Sequence, residues 1–146
     1  MKLLLVFIAL LVSTASSIWP FTNESTRVSY NVTFKCVRSF CVEGHLIEED
    51  CISDDRIKEF KFCSDGTPLT RLIEGTIRYG DGIFDNWLEP ALNIRHNCRD
   101  VYLGFDHLNA MVRLGSIRKN ETEWKKNVTV DLTELGTQFE VRGACV

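Results

Sequence analysis

From Val28 to Cys36 the chain alternates without a break. Val28, Tyr30, Val32, Phe34 and Cys36 are apolar, and Ser29, Asn31, Thr33 and Lys35 between them are polar. Only an extended strand puts side chains at this period onto one face, so the stretch must be half of a layer that another layer covers. The same period returns after Pro90. Leu92 and Ile94 point one way and Asn93 and Arg95 the other, and His96-Asn97-Cys98 closes the segment. Proline fixes φ and lacks an N–H, so Pro90 suits the opening of a strand and not its middle.

Further short strands are expected between and beyond these two. Phe40, Val42 and Leu46 form one, with Gly44 marking a bulge or a close backbone approach. Ile57 to Cys63 forms another, with a slip in phase after Ile57, and Leu72 to Tyr79 a third, interrupted by Gly75. Asp81-Gly82 turns the chain into Ile83-Phe84, and Val101, Leu103 and Phe105 continue as a strand. Asp106 is a fair N-cap, and Leu108, Met111, Val112 and Leu114 have helical spacing, so one short helix is expected there. Lys119 to Asn127 is polar and reads as a loop around Trp124, before a late strand through Val128, Val130 and Leu132. Short strands separated by turn signals predict an all-β sandwich of about seven to eight strands.

With 146 residues the chain is long enough for one domain, and 45% hydrophobic residues are enough for a core. A net charge of −3 gives no basic footprint, which disfavours nucleic acid as a partner. Residues 1–17 join Lys2, a short apolar run and small residues, the pattern of a secretory signal peptide. No second apolar stretch of spanning length follows, so no transmembrane anchor is expected and the product is placed outside the cell.

Six cysteines, Cys36, Cys41, Cys51, Cys63, Cys98 and Cys145, then read as three disulfides whose pairing spacing alone does not choose. Four sequons, at Asn23, Asn31, Asn120 and Asn127, mark N-glycosylation. These features divide the chain into a signal peptide over 1–17, a glycosylated extension over 18–34 that is either docked on the domain or an extra edge strand of it, and a sandwich over 35–146.

Several segments resemble the nematode transthyretin-like family of secreted β-sandwiches. Val42-Glu43-Gly44-His45-Leu46 is similar to its opening Val-x-Gly-x-Leu strand, and Asp81-Gly82-Ile83-Phe84 to its Asp-Gly-x-Phe turn. Pro90 to Cys98 is similar to its Pro-x-Leu-x-Ile-x-His-x-Cys segment. Val130-Asp131-Leu132 with Leu135 resembles its late strand, and Cys145 its terminal cysteine. Cys36, Cys41 and Cys63 are additions to that pattern, and Thr133 stands where the family has glycine. The resemblance implies a transthyretin-like (prealbumin-type) sandwich and an extracellular binding role toward a lipid, a small apolar ligand or a cell-surface protein. Trp87 and Trp124 are the candidate exposed anchors for such a surface.

Catalysis is not expected. A relative in fold, 5-hydroxyisourate hydrolase, uses histidines, an arginine and a C-terminal Tyr-Arg-Gly-Ser. Here His45 lies on an early strand, but the tail keeps only Arg142-Gly143 and the late His-x-His strand is missing. No cofactor is implied. His45, His96 and His107 lack the paired spacing of a zinc site, and thiols in a secreted chain are usually oxidised. The acidic residues around Cys51 lack the spacing of a calcium loop. His96 is expected to pack at a strand end with a ring nitrogen on a backbone carbonyl.

Overall fold

The computed structural model describes residues 25–49, 54–79, 86–98, 107–133 and 135–137. Over these residues the protein is all-β. The strands are β1 (Ser25–Lys35), β2 (Phe40–Glu48), β3 (Asp55–Ser64), β4 (Leu69–Arg78), β5 (Trp87–Leu88), β6 (Pro90–His96), β7 (Leu108–Arg113), β8 (Ile117–Arg118) and β9 (Glu123–Asp131). One sheet has the order β4-β1-β9, a second β3-β2-β6-β7, and β5-β8 form a small ribbon. The β1–β9 pair is parallel and the others are antiparallel.

The alternating residues become the core. Val28, Tyr30, Val32 and Phe34 of β1 are fully buried, and they join Val42, Leu46, Leu92 and Ile94 of the other large sheet in one cluster. Side chains of this size each contribute about 1.5–3 kcal/mol when buried. The strand is not an added edge. β1 lies between β4 and β9, with both of its edges paired, so the core begins within the stretch read as an extension.

Two cystines are described. Cys36, just after β1, joins Cys98, just after β6, and so ties one large sheet to the other. Cys41 joins Cys63, its cross-strand partner between β2 and β3. Cys51 and Cys145 lie outside the described residues, and with them the expectation of a third disulfide. The same holds for Asn23 and for the residues where a signal peptide (1–17), the Asp81-Gly82 turn and a strand through Val101, Leu103 and Phe105 are expected.

Two expectations of secondary structure also fail. Leu108–Arg113 is a strand, not a helix: it pairs along β6, with Ala110 opposite Ile94 and buried. Its helical spacing is overridden because β6 would otherwise keep an open row of backbone donors and acceptors. The second is Lys119–Asn127, where only the first part is a turn. From Glu123 the chain is already β9, polar because one face of that strand meets solvent while Trp124, Val128 and Val130 pack inward.

The glycine and phase signals have separate causes. A Cβ on Gly44 would lie 2.2 Å from the Asn93 carbonyl oxygen, so β2 and β6 approach too closely for a side chain. The bulge sits elsewhere. Leu46 pairs with Lys58 and Ile47 with Arg56, which leaves Ile57 as the extra residue of β3. No helix among the described residues is long and apolar enough to cross a membrane.

Candidate functional site

The β5–β8 ribbon places one apolar pair inside and one aromatic–cation pair outside. Leu88 is opposite Ile117 and both are 1% exposed, so Trp87 and its partner Arg118 face outward. Trp87 is 43% exposed, and the Arg118 guanidinium carbon lies 5.2 Å from its ring centroid. A cation at that distance is attracted by the ring's quadrupole and holds the indole plane in place.

The ribbon continues into a turn. The Lys119 N–H donates to the Asn86 carbonyl at 3.0 Å, and the Glu121 N–H to the Arg118 carbonyl at 3.0 Å. Asn86, Trp87, Arg118, Lys119 and Asn120 thereby line an open cleft of about 390 Å³. Its chemistry is an indole face, two cations and two amides. That set suits contact and recognition, and Trp and Arg are the residue types that most often anchor interfaces. Asn120 is also the acceptor of a sequon, so sugar on it would stand at the wall of this cleft.

Trp124 is placed differently. It sits in β9 opposite Val28, half-buried and packed against the core, with its indole Nε1 buried and without an acceptor among the described residues. It is a core-side residue and not an exposed anchor. The hydroxyl of Tyr30 is likewise buried without a partner there, and burial pushes its phenol pKa up.

His96 is fully buried at the end of β6. Its Nδ1 accepts from the Cys98 N–H at 3.2 Å, which leaves Nε2 to donate to the Leu135 carbonyl at 2.8 Å. Burial pushes its pKa below the ordinary value of 6.5, and the neutral ring is the form these two bonds require. His107 is outside the core, with Nδ1 3.2 Å from Arg95 Nη2, and His45 is on the opposite face of its sheet from His96. The three histidines do not converge. Among the described residues no group of three His, Cys, Asp or Glu side chains is placed to hold a metal ion.

The outer face of the β3-β2-β6-β7 sheet carries charge. Glu43 pairs with Lys61 at 2.7 Å and with Arg95 at 3.9 Å, and these cations hold its carboxyl below the usual range. Arg113 binds Glu49 through two nitrogens, at 2.8 and 3.3 Å. The sequon residues Asn31, Asn120 and Asn127 are all exposed.

Sequence reasoning found Trp87 but not its partner. Arg118 carried no local signal, since the pairing depends on a two-residue ribbon 31 positions away. Compared with protein-family models, with curated proteins and with solved structures, the chain matches none.

Proposed function

We propose that this protein is secreted and acts in the extracellular space by binding, without catalysis, and that a cell-surface protein is its partner. The observation that carries the reading is Trp87, 43% exposed over a cleft of about 390 Å³ with Arg118 held against its ring. Among the three ligand classes that the transthyretin-like resemblance implies, an open cleft with cationic and amide walls suits a protein surface better than a lipid chain. The cystines support an oxidising compartment.

The transthyretin-like reading of the sandwich has support of its own. Its two most similar strings fall in adjacent antiparallel strands, with Val42 opposite His96, Gly44 opposite Ile94 and Leu46 opposite Leu92. Residues from separate parts of the chain thus form one inward-facing ladder.

The test titrates labelled protein, with Asn120→Gln to keep the cleft free of sugar, onto cells displaying a library of membrane-protein ectodomains. Saturable binding is expected. Trp87→Ala should weaken it by about tenfold or more, as truncation of an aromatic anchor does. Its unfolding midpoint should stay put, because Trp87 lies outside the core. Binding that ignores the substitution, or stoichiometric lipid extracted from the purified protein, would overturn the assignment. Accelerated decay of 5-hydroxyisourate would overturn the exclusion of catalysis.

A further inference from the structure

Asn31 and Asn127 stand 96 residues apart in sequence and are direct partners across the parallel β1–β9 ladder. Residues in register on neighbouring strands point to the same side of a sheet and lie about one strand spacing, ~4.8 Å, apart. Both side chains are exposed, on the face turned away from the core. On the other side of Asn31, in the same row, is Leu72 of β4, 59% exposed. The next row holds Thr70, Thr33 and Thr129, so the hydroxyl residues of both sequons lie side by side as well. Thr33 and Thr70 share a hydrogen bond of 2.9 Å.

We propose that the outer face of the β4-β1-β9 sheet is a paired-glycan face: Asn31 and Asn127 of one molecule both carry N-linked sugar, and that sugar covers Leu72. The proposal rests on the expected passage through the secretory pathway. The acceptor chemistry needs a lipid diphosphate-linked oligosaccharide as co-reactant. The Asn amide nitrogen bonds to the sugar's anomeric carbon, the bond from that carbon to the phosphate oxygen breaks, the amide loses one proton, and lipid diphosphate leaves. Neither graft disturbs the ladder, because the backbone groups of β1 and β9 lie in the sheet while the amides point away from it. The face suits sugar: Leu72 is flanked in its own strand by Thr70 and Glu74, and Glu74 accepts from Ser29 at 2.9 Å. A covalently tethered sugar has a high effective concentration over a neighbouring side chain, which a free partner protein must outcompete. Partners are then steered away from this face.

The test expresses the full chain in secreting eukaryotic cells with Asn23→Gln and Asn120→Gln, leaving two acceptors. Intact mass should show two glycans on one molecule. Hydroxyl-radical footprinting should label Leu72 weakly, and several-fold more after native removal of the sugar by peptide N-glycosidase. Val37, 79% exposed beyond the end of β1, serves as the reference and should stay level. Protein in the medium with sugar on neither asparagine would overturn the proposal alone, whereas sugar-free protein retained in the cytosol would overturn the secretory reading with it. One sugar per molecule would overturn the pairing alone. Two sugars with unchanged labelling of Leu72 would overturn the covering.

Discussion

His96 shows how a single side chain can be legible and still carry a consequence. A histidine one residue from the end of an apolar alternation invites a ligand reading, but its position predicts a buried ring on a carbonyl, and Leu135 supplies that carbonyl. The folded state holds the ring neutral, while the unfolded chain binds a proton near the ordinary pKa of 6.5. The unfolded state therefore carries more protons as pH falls below that value, and folding stability must drop there. The stabilisation is complete above about pH 6.5 and is lost as pH descends toward the lowered folded value. Thermal melts between pH 5 and 8 should show this slope, and His96→Gln should be less stable at pH 8 but flatter. Trp124 was not legible to the same degree. Its polar neighbours suggested exposure, yet those neighbours are simply the solvent side of the strand whose other side buries the indole.

At the level of elements, the slip in phase after Ile57 and the lone Gly75 are two halves of one device. The bulge in β3 adds Ile57, whose half-buried side chain turns toward β4. A Cβ at Gly75 would lie 2.2 Å from Ile57 Cγ2, so the glycine is the space the bulged residue occupies. Gly75→Ala should cost about 1–3 kcal/mol by overpacking. The same change made on Ile57→Ala should cost much less, and urea unfolding of the four proteins gives the coupling as a double-mutant cycle. Each half was readable alone as an irregularity; their contact was not, because it joins different sheets. The helix expected at Leu108–Leu114 failed for a related reason. Spacing within the segment fits a helix, but the vacant edge of β6 decides the outcome, and no local pattern encodes that edge.

Across the whole molecule, the two described cystines should contribute unequally. Cys36–Cys98 closes 62 residues of chain and Cys41–Cys63 closes 22. On chain-entropy grounds their removal should cost about 4 and about 3 kcal/mol respectively. Paired Cys→Ala variants, compared by guanidinium unfolding, should rank in that order, and only the first should loosen one sheet from the other. The sandwich class was legible because alternation and burial express the same geometry, with Val28 to Phe34 as its plainest case. The pairing of sulfurs was not, since it depends on which strand ends meet.

The parallel β1–β9 ladder also imposes a timetable on synthesis. Arg27 waits for Glu123, and Lys35 for Asp131, so one side of β1 stays open until β9 has emerged. During that interval β4 can zip onto the opposite side, but a waiting row of amides and carbonyls beside Val28, Tyr30 and Val32 is an adhesive edge for any neighbouring nascent chain. If Asn31 is glycosylated as proposed, its sugar stands beside that unfilled edge and keeps other chains at arm's length until β9 arrives.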